Sequence, residues 1–250
     1  MSETKKQQSF KFESPALPIR KQILFFSIGW LGFQFMASIV QIIVGGIVSA
    51  AQGISLTDAL RTSGASMAVN ALAYIILFVT LLLIAYTDVL KLLKSFKQWQ
   101  SYVAGVVCFG AIIVFNIFYG NIVALLKQPV ENNINQQAIE SLESVYPFTS
   151  FVIFGIVGPI CEELTYRVGL FSLCKRKSRI LAYAVTIVIF ALIHFNYSTK
   201  SLVNELLNLP YYAFAAVAFS VTFEYFGFAG SVTGHIINNI FSLAFISTIH

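Results

Sequence analysis

From residue 22 onward the chain is divided into apolar stretches, most of them about twenty residues long or more, separated by short polar connections. A helix needs around 20 mainly apolar residues to cross the hydrocarbon core of a bilayer, and repeated runs of this kind are the mark of a chain that crosses it several times. The stretches fall at about 22–50, 66–86, 101–126, 148–174, 180–195, 202–223 and 231–249. The expected fold is all-α: a polytopic transmembrane helical bundle of about seven spans, within a range of six to eight. Composition agrees: 57% of residues are hydrophobic and 11% charged, against about 25% charged in soluble domains. The fifth stretch is short. The sixth carries Asn204, Glu205, Asn208 and Pro210, so it is expected to be broken or partly interfacial before Pro210, where irregular backbone needs protein cover.

Basic residues cluster between the apolar runs, which makes the net charge of +5 a topology signal and argues against a nucleic-acid partner. With the N-terminus inside, the inner segments hold Lys5, Lys6, Lys11, Arg20, Lys21, Lys91, Lys94, Lys97, Lys175, Arg176, Lys177 and Arg179, while the outer ones hold only Arg61, Lys127 and Lys200. That asymmetry places the N-terminus in the cytoplasm and the chain in the cytoplasmic membrane as a multi-pass protein. Residues 1–21 read as a cytoplasmic tail rather than a signal peptide, because the apolar run that follows is too long for a signal h-region. Residues 22–147 then form an N-terminal transmembrane part of about three spans plus a polar outer loop, and 148–250 a second transmembrane part. Cys108, Cys161 and Cys174 lie in or beside apolar segments and show neither metal-type spacing nor a disulfide framework.

Ionisable groups inside apolar stretches are costly, and they mark function by default. In "GPICEELTYRVGL", Glu163 and Arg167 are four residues apart and can pair on one helix face; Glu162 lies about 100° round the helix and is left over. Gly155, Gly158 and Gly169 near this face would let another helix approach closely. In "FALIH", Phe190 and His194 share a face. A lone buried histidine is commonly satisfied by a backbone carbonyl. Yet Glu162 and His194 lie nearly equidistant from the basic turn 175–179, so antiparallel neighbours joined there would bring both to one depth. In "SVTGHIINNIFSLAF", His235 and Asn239 are four apart, with Ser231 and Ser242 extending the stripe and Asn238 beside it. Plain counting puts His235 nearer the inner surface than His194, so the "FEYFGFAG" connection must dip inward or the helix must shift.

Two carboxylates, two imidazoles, an arginine and a carboxamide suit hydrolysis by activated water, with a carboxylate as base and N–H groups stabilising the oxyanion. They also suit a divalent metal such as zinc held by Glu162, His194 and His235; these residue types leave both open and make no cofactor certain. Competing sites lack parts. There is no H-E-x-x-H and no G-x-S-x-G, the serines of "SGAS" have no base placed near them, and Cys161 in an apolar setting would be inert. His250 is terminal and expected in water; "YTD" at 86–88 is expected to cap a helix or face water.

The three segments resemble a known family. "EELTYR" (Glu162, Glu163, Arg167), "FALIH" (Phe190, His194) and "HIINN" (His235, Asn239) match, in order, the EExxxR, FxxxH and HxxxN motifs of the CPBP family. These are the CAAX prenyl protease and bacteriocin-processing (Abi) intramembrane proteases. The resemblance covers roughly residues 148–245; the first 147 add only compatible topology. It implies an intramembrane endopeptidase, glutamate- or metal-dependent, with the 148–250 part catalytic. By that resemblance Glu162 activates water with His194 as its partner, His235 and Asn239 stabilise the oxyanion, and Glu163 with Arg167 supports the motif. The last helix ends about 11 residues beyond Asn239, which leaves no room for an eighth span.

The chain looks most like the bacterial members, which implies cleavage of a small membrane-associated peptide or lipopeptide: a bacteriocin, a signal peptide or a CAAX-like substrate. The expected partners are that substrate and the lipid bilayer; oligomeric state is not legible in the sequence. Two other functions compete: a non-catalytic immunity or signalling scaffold that binds peptides, and a small transporter whose buried charges carry protons.

Overall fold

Amide groups in lipid have no water to bond, so each apolar run must satisfy its own backbone, and the helix does this within one segment. The computed structural model describes residues 17–125, 131–197 and 202–246, with the side chains of 245 and 246 left aside, and contains no strand among them. Residues 1–16 of the expected tail, Lys127, Lys200 and His250 lie outside the described residues. The helices are α1 (Ile19–Gln52), α2 (Leu56–Arg61), α3 (Ser63–Lys97), α4 (Trp99–Leu125), α5 (Ile134–Glu143), α6 (Pro147–Lys175), α7 (Arg179–Leu192) and α8 (Leu202–Ile246). Their starts are written in side chains: Ser55, Thr62, Asn133 and Ser178 each accept from a backbone N–H in the first turn of α2, α3, α5 and α7.

Five helices, α1, α3, α4, α6 and α8, are long and apolar enough to cross a membrane. Their outer faces are apolar too: Phe35, Ile47, Leu83, Val114 and Phe118 are all exposed, as befits surfaces that meet lipid rather than water. Helix α7 has 14 residues and spans only about 21 Å at the usual rise, consistent with the short fifth stretch. The chain is an all-helical, multi-pass integral membrane bundle.

Helix α8 is two arms. Gly227 has φ 75° and ψ −173°, a conformation open essentially to glycine alone. Phe219 and His235, each eight residues from it, stack at 4.3 Å; in a straight helix they would stand about 24 Å apart. The arms therefore fold back on each other, giving the sixth and seventh apolar stretches opposite directions. The reversal breaks the backbone ladder. Ser101 of α4 donates its hydroxyl to the Phe226 carbonyl at 2.7 Å, and the Ala229 N–H donates to Ser95 Oγ at 2.9 Å. The turn is buried against the α3–α4 joint, with Phe228, Ala229 and Ser231 all inaccessible, so the connection does dip into the bundle.

One core cluster joins Phe25 of α1, Leu81 of α3, Phe171 of α6, Ala182 of α7 and Phe223 of α8. Beside it, charged ties collect at one face. Asp88 binds Lys21 and Lys91, Arg176 donates to Gln22 and to the Leu17 carbonyl, and Glu224 pairs with Lys175 and Arg179. The start of α1, the α3–α4 joint and the α6–α7 turn thus share a face. Asp88 corrects part of one expectation: its side chain makes no capping bond and is buried between two lysines, while Tyr86 and Thr87 beside it are exposed.

Candidate functional site

Helix α6 is wound wide over Phe151–Val157 and again over Glu163–Phe171, with a regular turn between them that ends at Glu162. π-Helical segments are uncommon and collect at functional sites. Glu163 and Arg167 pair at 3.2 Å with both side chains 0% exposed. The guanidinium lies over the Phe190 ring at 4.5 Å and near Phe219 at 5.3 Å, so two aromatic faces supply part of what water would. Glu162 points elsewhere, as the 100° offset requires, and its side chain keeps 19% exposure.

His235 stands between the two glutamates. Its Nδ1 donates to Glu163 Oε1 at 2.9 Å, and its Nε2 lies 3.7 Å from Glu162 Oε2. Stacking on Phe219 fixes the ring plane. One turn further, Asn239 donates from Nδ2 to the Phe154 carbonyl at 3.0 Å. That carbonyl is free for a local reason. The Gly158 N–H goes to Ile153, and the next residue, Pro159, has no N–H to give. The "GP" ahead of the two glutamates therefore creates the acceptor that holds Asn239.

His194 falls just beyond the end of α7. Its Nδ1 donates to the Phe190 carbonyl at 2.8 Å, since a carbonyl can only accept, and this leaves Nε2 as the acceptor. The ring stacks on Tyr212 at 4.3 Å. The His194 loop is tied down from outside: Asn133 donates to the His194 carbonyl at 2.9 Å, and Tyr212 donates to Asn133 at 3.0 Å. Glu205, 2% exposed, accepts from the N–H groups of Ile134 and Asn196 at 3.0 and 3.1 Å. The polar loop ahead of α6 thus holds α5, anchored over the histidine by an acid of α8.

Glu162, His194, His235 and Asn239 line one cavity of about 390 Å³. It is completed from the N-terminal half by Gln34 of α1, Asn70 and Tyr74 of α3, and Gln136 of α5. The first 147 residues therefore build part of the site, which the motifs, all downstream, gave no sign of. Glu163 and Arg167 sit behind the lining. A metal is a poor fit. Among the described residues no three His, Cys, Asp or Glu side chains gather closely enough to hold an ion, although the bonds of His235 Nδ1 to Glu163 and His194 Nδ1 to Phe190 leave both Nε2 atoms uncommitted. The set Glu162, His194 and His235 does not close as a ligand shell.

The expected close approach occurs, and α1 supplies its other half. A Cβ on Gly169 would come within 2.8 Å of the Phe26 amide nitrogen, and one on Gly29 within 1.9 Å of Thr165 Oγ1. Other contributors missed from sequence are Phe219, Tyr212 and Asn133. Glu205 had a legible signal, a lone acid in an apolar stretch.

Comparison with known proteins points to the same segment of the chain. Residues 144–241, which hold all three motifs, match the family model of type II CAAX prenyl endopeptidase Rce1-like proteins. The resemblance read from the motifs holds over that segment, and the matching family is one of peptidases. A curated relative, UPF0177 protein YvdC of Lactococcus lactis subsp. lactis (strain IL1403), is 24% identical over 138 residues, covering 55% of this chain and 50% of that protein. The match thus spans about half the length of the relative. No solved structure matches.

Proposed function

We propose that the chain is an intramembrane endopeptidase of the cytoplasmic membrane. Its substrate is a small membrane-associated peptide or lipopeptide, such as a bacteriocin or peptide-signal precursor. The observation that carries this is the shared cavity: one accessible carboxylate, Glu162, with His194, His235 and Asn239 around it. Glu162 takes a proton from water as the oxygen attacks the carbonyl carbon, and His194 Nε2 accepts the water's other hydrogen and orients it. His235 and the remaining Asn239 N–H stabilise the oxyanion. Glu163 and Arg167 cancel each other's charge and hold His235 in place. The proton that Glu162 takes from water passes to the leaving nitrogen as the C–N bond breaks, which returns Glu162 to its carboxylate. The basic face of the bundle lies in the cytoplasm.

The test is processing in cells that express Glu162→Ala or His194→Ala. Each variant is expected to insert normally and to stop precursor cleavage. A scaffold that only binds peptides would keep its full phenotype in both, and that result would overturn the peptidase reading.

A further inference from the structure

The cavity has a second kind of polar lining that the hydrolytic step does not use. Gln34 of α1, Asn70 of α3, Gln136 of α5 and Asn238 of α8 bring side-chain amides to it from four helices. Among the described lining residues there is no lysine or arginine, and Glu162 is the one carboxylate. Amides at membrane depth are costly unless they bond, yet these are poorly paired. Gln34 has no side-chain partner among the described residues. Asn70 gives one N–H to the Ser66 carbonyl at 2.9 Å. Asn238 reaches only Asn239, at 3.4 Å, and Gln136 meets Glu140 and Ser242 at 3.3 and 3.4 Å. A carboxamide has two donor hydrogens and an acceptor oxygen, so the ring keeps free capacity of both signs and carries no charge.

An extended peptide presents the same chemistry: one N–H and one C=O per residue, uncharged. A free C-terminal carboxylate does not, for it would meet Glu162 with no lysine or arginine in the lining to hold it. We propose that the amide ring is the subsite for the main chain of an extended, uncharged substrate segment. It selects a bond inside a peptide or lipopeptide over one close to a free C-terminus, as in a CAAX-like tail. The proposal rests on the peptidase reading for the cleavage that follows, but binding can be measured without it.

The chain has two tryptophans, Trp30 and Trp99, and Trp30 lines this cavity. In a Trp99→Phe protein in detergent micelles, Trp30 fluorescence reports on a short alanine–leucine peptide carrying a dabcyl quencher, made with an amidated or a free-acid C-terminus. The amidated probe is expected to bind at least about fivefold more tightly. Gln34→Leu, Asn70→Leu and Asn238→Leu should each weaken it by about fivefold, the scale of one lost hydrogen bond. Equal or tighter binding of the free acid, undiminished binding by all three leucine variants, or no quenching by either probe would overturn the proposal. The comparison of the two probes needs no lining variant, so a misfolded variant does not spoil it. Binding without any cleavage by the parent chain would leave the subsite standing and remove the peptidase reading alone.

Discussion

Arg167 and Glu162 lie five residues apart and carry opposite risks. Arg167 is fully buried against Glu163 and two rings, so Arg167→Met leaves a buried carboxylate without its cation. The expected cost is about 3–5 kcal/mol, seen as a large drop in thermal midpoint in detergent. Glu162→Gln changes a side chain that keeps partial exposure in the cavity and should leave that midpoint nearly unmoved. Equal losses in the two variants would mean that their burial has been misassigned. Pro159 offers a finer test. Pro159→Ala supplies an N–H that competes with Asn239 for the Phe154 carbonyl. The expected effect is a fall in kcat of about fivefold with KM little changed. In an Asn239→Ala background the same change should cost nothing further.

At the scale of the element, the reversal in α8 brings His235 under Phe219 and beside Glu163. Gly227→Ala forces an L-residue into a conformation costing about 1–3 kcal/mol. The expected result is a lower thermal midpoint together with reduced cleavage, because the second arm loses its registry against α6. An unchanged midpoint would show that the turn does not depend on glycine. The sequence reading separated the two arms and required either an inward dip of the connection or a shift of the helix, of which the structure shows the buried turn. It could not see Ser95 and Ser101 as the groups that satisfy the broken backbone, since a serine near a helix joint carries no sign of a partner more than a hundred residues away. The polar loop before α6 raised a similar difficulty. Its polar character was legible, but its docking over His194 through Asn133 and Glu205 is tertiary.

For the whole molecule, what could be read in advance was whatever violates the cost of polar groups in lipid. Glu162, Glu163, Arg167, His194, His235 and Asn239 stood out because each is expensive where it lies, and the fold gathers six helices around them. The contributions of α1, α3 and α5 were hidden because a glutamine or asparagine in an apolar stretch is weaker punctuation than a charge. Gly29 was hidden because its role depends on Thr165 of another helix. The metal alternative followed from residue types alone, and whether Glu162, His194 and His235 gather closely enough for an ion could be learned only from geometry.

Comparing the membrane peptidomes of cells that carry the parent chain or its Glu162→Gln variant measures the central claim most directly. A water-activating Glu162 requires a longer precursor to accumulate in the variant and its two fragments to disappear. Identical peptidomes, with both chains inserted at equal level, would contradict it.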